Sequence, residues 1–106
     1  MTASIDTLPP RGRHPGKPRF AIGRLLATPG ALACLEQAGV SLFDLLARHV
    51  TGDWGEDVGA EDRQANEDGL RYGHRVMSAY RVGNARIWAI TEADRSATTF
   101  LLPEEY

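Results

Sequence analysis

Val76-Met77-Ser78-Ala79-Tyr80-Arg81-Val82-Gly83-Asn84-Ala85-Arg86-Ile87-Trp88-Ala89-Ile90-Thr91-Glu92 is the stretch on which the fold turns. Two runs of strand-forming residues flank Gly83-Asn84, a dipeptide suited to a two-residue hairpin. With the turn there, Val82 faces Ala85, Tyr80 faces Ile87 and Ser78 faces Ala89. Met77 and Ala79 then share the other face with Ile90 and Trp88, and that face is expected to pack on helices. Arg81 and Arg86 fall opposite each other, where like charges cost stability unless they are solvated or bind an anion. Ala93-Asp94-Arg95-Ser96 makes the next turn and Ala97 to Leu102 a third strand. Pro103 stops that strand, and Glu104-Glu105-Tyr106 forms an acidic tail. The third strand is expected to leave an open edge through which two copies could form a homodimer.

Upstream the period changes to that of helices. Phe20 to Ala27 reads as a short strand with a weak point at Gly23. Thr28-Pro29 is a helix start, an N-cap hydroxyl followed by proline at the first helical position. Leu32 and Leu35 give that helix a buried stripe, and Gly39 is its stop. Ser41 caps a second helix with Leu42, Leu45, Leu46 and Val50 at helical spacing. Arg48 and His49 fall in its last turn, where a cation meets the negative end of the helix dipole. Gly52, Gly55 and Gly59 bracket a loop around Trp54, and Ala60 to Leu70 forms a third, polar helix ending near Gly69. The expected fold class is α+β: an N-terminal strand and two to three helices packed on a C-terminal antiparallel three-strand meander. Residues 1–18, with Pro9, Pro10, Pro15 and Pro18, read as a flexible basic leader. Residues 19–106 form a single domain.

The 106 residues carry a net charge of −2, which argues against general nucleic-acid or membrane attraction. The charges are segregated in blocks. Residues 1–24 hold five basic groups and one acid, residues 53–68 hold seven acids and one Arg, and residues 71–86 hold four Arg, His74 and no acid. Such blocks can bind separate partners or each other within a Debye length of about 10 Å. A single cysteine, Cys34, excludes an intramolecular disulfide. It fits a reducing compartment and reads as a small buried hydrophobe. No apolar run approaches the ~20 residues of a membrane span, and no signal-peptide core is present. The expectation is a cytoplasmic protein with no membrane association.

Several strings together resemble a family of small proteins from proteobacterial chromosomes, plasmids and integrated elements. They are Thr28-Pro29-Gly30-Ala31-Leu32, Arg48-His49 with Gly52-Asp53-Trp54-Gly55, Glu61-Asp62 with Asn66, and Ile87-Trp88 through Asp94-Arg95-Ser96 to Pro103. Family members are often labelled plasmid-related proteins or a type I restriction endonuclease subunit M. A methyltransferase subunit needs a doubly wound sheet for S-adenosylmethionine and an Asn-Pro-Pro-aromatic loop, neither of which this chain contains. The resemblance therefore implies a mobile-element setting and not that enzyme.

Two readings of the chemistry follow. In the first, the chain is a non-catalytic accessory protein that docks a macromolecular partner, such as a host defence or nucleic-acid-processing protein. Its docking surface is the 48–62 loop: Arg48, Asp53, Glu56, Asp57, Glu61 and Asp62, with Trp54 as aromatic anchor. In the alternative, helices leading into an antiparallel sheet are organised as in RelE-like and barnase-like ribonucleases, by analogy of architecture. His49 would then serve as acid–base, Arg95 would hold phosphate and Thr99 would position it, without a metal. No metal or other cofactor is expected. The carboxylates of 53–62 lack the calcium-loop spacing, and His14, His49, His74 and Cys34 lack zinc spacing. The glycines lack the Lys-Ser/Thr of a phosphate loop.

Overall fold

The hairpin forms in the expected register, with Arg81 opposite Arg86 and Val82 opposite Ala85 across Gly83-Asn84. The structure, a computed structural model, describes residues 16–106, so most of the proposed leader lies outside the described residues. In chain order the elements are β1 (Arg24–Ala27), α1 (Pro29–Ala38), α2 (Leu42–Val50), α3 (Ala60–Tyr72), β2 (Val76–Val82), β3 (Ala85–Thr91) and β4 (Ala97–Leu101), closed by a 3-10 turn at Pro103–Glu105. The fold is α+β. Strands β2, β3 and β4 form the antiparallel meander, and β1 adds to β4 in parallel to give the order β1-β4-β3-β2.

The helix signals act as their chemistry requires. Thr28 Oγ1 accepts the Ala31 amide with Pro29 in the first turn, and Gly39 closes α1 in the left-handed region. Ser41 Oγ accepts the Phe43 amide at the start of α2. Leu32 departs from expectation: it is 48% exposed, and the buried residues of α1 are Ala31 and Leu35. Helix α3 runs past Gly69 and stops at left-handed Gly73. Gly69 is instead a contact point, because a Cβ there would press on Val76 and the Arg75 carbonyl.

Helices α1 and α2 cover the Tyr80, Val82, Ile87, Ala89 and Phe100 face of the sheet. The opposite face, with Met77, Ala79, Trp88 and Ile90, was expected to take them. Alternation marks both faces of the hairpin as apolar, so period alone does not choose between them. Arg81 and Arg86 choose, since both lie on the second face and their charges must stay hydrated. A further correction concerns β4. It is paired on both sides, so the sheet's edges are β2 and β1.

The β2 edge is capped along its length. The Ala79 amide donates to the Trp54 carbonyl at 2.9 Å, and the Asp57 amide returns to the Ala79 carbonyl at 3.3 Å. Asn66 clamps Met77, its Nδ2 donating to the carbonyl at 2.7 Å and its Oδ1 accepting the amide at 2.9 Å. Glu56 Oε1 accepts the Arg81 amide at 3.3 Å. Gly55 has φ +100°, and any Cβ there would overlap the Ala79 carbonyl oxygen. The glycine therefore allows the loop to approach β2 as a fifth strand would.

This arrangement sets two stability tests. Gly55→Ala is expected to cost more than about 2 kcal/mol in urea denaturation, combining left-handed strain with backbone overlap. Asn66→Asp keeps the acceptor but removes the donor to a buried carbonyl, an expected loss of about 2 kcal/mol. If either variant unfolds within about 0.5 kcal/mol of wild type, the edge cap does not contribute as described.

Candidate functional site

The 48–62 segment begins at the end of α2, where two adjacent residues diverge. Arg48 points outward. Its Nε donates to Asp53 Oδ2 at 2.7 Å, its Nη2 to Asp53 Oδ1 at 3.2 Å and its Nη1 to Glu56 Oε2 at 3.4 Å. Its guanidinium also lies 4.6 Å from the centre of the Tyr80 ring, and Tyr80 Oη donates to the Asp53 carbonyl at 2.7 Å. Arg48 thus holds the first half of the loop against the sheet.

His49 points inward and has no exposed surface. Its Nδ1 lies 2.5 Å from Ser78 Oγ and its Nε2 lies 2.8 Å from Thr91 Oγ1. Thr91 Oγ1 is 2.7 Å from Thr98 Oγ1, which donates to the Ile22 carbonyl at 2.9 Å. One hydroxyl has one proton, which sets the direction of the chain. Thr98 gives its proton to Ile22, so Thr91 donates to Thr98. His49 Nε2–H must then donate to Thr91, leaving Nδ1 to accept from Ser78. Each group has a partner only while the imidazole is neutral with its proton on Nε2. Burial, aided by the positive charge of Arg95, lowers the His49 pKa to about 3.

Trp54 is 2% exposed. Its ring stacks on Phe20 with centroids 6.2 Å apart and meets His49 edge-on at 5.9 Å, while Phe20 meets His49 edge-on at 5.1 Å. Trp54 Nε1 donates to Glu67 Oε2 at 3.3 Å, and Glu67 also receives both Arg19 Nη groups. The indole is thus a packing residue that locks the loop, the Arg19-Phe20 segment and α3 together. It is not displayed as an anchor.

The remaining carboxylates divide into two sets. Asp57, whose side chain is 12% exposed, lies between Arg81 and Arg86, with Oδ1 bonded to Arg81 and Oδ2 3.1 Å from Arg86 Nε. The anion that the facing arginines require is therefore internal. Glu61 and Asp62 are exposed in the first turn of α3, and Glu56 is 48% exposed despite its contact with Arg48.

The three residues of the ribonuclease reading are not brought to one surface. Arg95, in the β3–β4 turn at φ +61°, donates to the carbonyls of His74 (2.8 Å), Glu92 (3.0 Å) and Gly69 (3.1 Å). Its guanidinium lies over the Phe20 ring at 5.6 Å, and that ring also meets His49 edge-on. Thr99 pairs with Ile90 and Leu26 on the sheet face away from His49, and its neighbour Thr98 is the one linked to the histidine, through Thr91. Residues that the sequence reading left out as a set are Ser78, Thr91 and Thr98. Their alternation onto the Tyr80 face, beside a histidine one helical turn after Leu45 and Leu46, is the signal that could have found them.

Two surface depressions among the described residues are open. One, of about 320 Å³, is lined by Arg19, Gln64, Glu67, Asp68, Leu70 and Arg71. The other has Cys34 and Arg86 on its wall. Among the described residues no three His, Cys, Asp or Glu side chains converge as metal ligands would. No single helix there is long and apolar enough to cross a membrane. Comparison with family models, curated proteins and solved structures gives no match.

The histidine sets a pH test. Its folded pKa is depressed, so below the ordinary value of about 6.5 the unfolded chain takes a proton that the folded chain refuses. Stability contributed by neutral His49 is therefore full above pH 6.5 and falls by about 1.4 kcal/mol per pH unit as pH drops towards 3. Chemical denaturation of wild type against His49→Phe between pH 7 and 5, above the range where the salt-bridged carboxylates Glu56 and Glu67 begin to lose their own contribution, should show that slope only in wild type. Nitrogen NMR should find the Nε2–H tautomer still neutral at pH 5. Arg95→Gly relieves the left-handed strain of about 1 kcal/mol but loses three carbonyl contacts, so thermal unfolding should show net destabilisation.

Proposed function

We propose that this chain is a non-catalytic accessory protein of mobile-element type that docks a basic macromolecular partner through the outward carboxylates of the 48–62 segment. The observation that carries the reading is the division of labour within that segment. Its aromatic and imidazole groups, Trp54 and His49, are turned into the core. Glu56, Glu61 and Asp62 are turned out on a loop and helix start that Arg48 and Asn66 hold in place. A rigid acidic surface suits electrostatic steering and register with a cationic protein face. The mobile-element setting rests on the sequence resemblance, and within it a host defence or nucleic-acid-processing protein is the partner class proposed. Acid–base catalysis by His49 has less support. A side chain with no exposed surface and both ring nitrogens engaged has no route to a ribose hydroxyl without local opening.

The docking reading is tested by charge reversal, since Trp54 and Asp53 cannot be removed without disturbing the loop. Glu56→Gln, which keeps an acceptor for the Arg81 amide, combined with Glu61→Lys and Asp62→Lys should leave the circular dichroism spectrum unchanged. The triple variant should lose the host proteins captured by wild type, and raised salt should release them from wild type. Capture of the same partners by the triple variant at equal yield would overturn the proposal. Growth inhibition by wild type that His49→Ala relieves, with RNA cleavage in vitro, would favour the ribonuclease instead.

A further inference from the structure

The two edges of the sheet are treated differently. Along β2, the outward amides of Met77, Ala79 and Arg81 are met by Asn66, Trp54 and Glu56. Along β1 the phase of the parallel ladder is set by Arg24, whose amide donates to Ser96 O, and by Thr28, whose amide donates to Phe100 O. Alternation then turns Leu25 and Ala27 outward. Among the described residues, no hydrogen bond reaches their amides or carbonyls from the outer side. Leu26, between them, is 39% exposed on the face away from α1 and α2.

We propose that this edge pairs antiparallel with β1 of a second copy, giving a two-fold dimer with one continuous sheet. Parity restricts the register. Among the registers that parity allows, pairing Leu25 with Ala27 of the second copy is the one that engages both outward residues of each strand, and it centres the axis on Leu26. Two reciprocal pairs of hydrogen bonds form, and Leu26 meets its own equivalent in a non-hydrogen-bonded pair, the closer kind. Arg24 then faces Thr28, so no like charges oppose. Gly23, at φ +63°, ends the ladder on one side and Pro29, which has no amide hydrogen, ends it on the other. The interface is short and self-complementary, with an apolar pair at its centre.

The test uses the full chain with Cys34→Ser as background. Leu26→Cys places two thiols across the axis and should form an intermolecular disulfide under mild oxidation. Thr99→Cys, its neighbour on the adjacent strand, should not. In light scattering the wild type should shift from monomer to dimer with concentration up to about 100 µM, and Leu26→Lys should weaken that dimer about tenfold or more by setting two ammonium groups together. Far-UV circular dichroism of Leu26→Lys should match wild type, because the side chain is already part-exposed. A wild type that stays monomeric throughout, a dimer indifferent to Leu26→Lys, or cross-linking at Thr99→Cys but not Leu26→Cys would each overturn the proposal. The first of these outcomes would leave the edge for another segment or another protein.

Discussion

Burying an imidazole in a small core is costly unless both ring nitrogens find partners, and His49 finds them on two different strands. Ser78 supplies a proton from β2, Thr91 accepts one on β3, and Thr98 on β4 passes the chain on to the Ile22 carbonyl just before β1. One side chain on α2 therefore ties β2, β3 and β4 to the helix layer. Sliding any of these three by one residue would turn its hydroxyl to the other face and strand a buried polar atom. The wire has a single consistent direction, and it works only with a neutral ring. A group that looks like an acid–base catalyst in the sequence is here a tautomer-locked structural pin.

The other organising constraint is the sheet's polar edge. A four-stranded sheet leaves two rows of unpaired backbone groups, and small domains must cover or use them. On β2 the cover is made by a loop that could be mistaken for a displayed motif. Gly55 allows the close approach, Trp54 and Asp57 make the backbone bonds, and Asn66 imitates a strand with its amide. The same loop folds its indole under itself against Phe20 and His49. Edge capping and core closure are thus one event, and among the described residues β1 is the edge without such a device.

The segregated charge blocks largely satisfy one another. Arg48 takes Asp53 and Glu56, Arg81 and Arg86 share Asp57, and Arg19 takes Glu67. Each exposed pair contributes little by itself, about 0–1 kcal/mol. Their collective effect is to fix where the loop and α3 lie. What remains without a partner among the described residues, Glu61 and Asp62 with the exposed side of Glu56, is smaller than the acidic run suggests, and it is confined to one patch.

What the sequence by itself determined were features governed by local chemistry. The Thr28-Pro29 and Ser41 helix starts, the Gly39 stop and the Gly83-Asn84 hairpin with its full register depend on a few neighbouring residues, and all were legible. So was the α+β class, because the period changes from 3.6 to 2 at Val76. Only the tertiary structure decided which apolar face of the hairpin meets the helices, because both faces alternate alike and the hydration of Arg81 and Arg86 breaks the tie. It also decided that β1 joins β4 in parallel, a pairing across some 70 residues that no local signal encodes. The fates of Arg48, His49 and Trp54 were likewise settled at that level. Residue type marked them as chemically capable, but whether a side chain is displayed or buried depends on partners distant in sequence: Ser78, Thr91, Phe20 and Glu67.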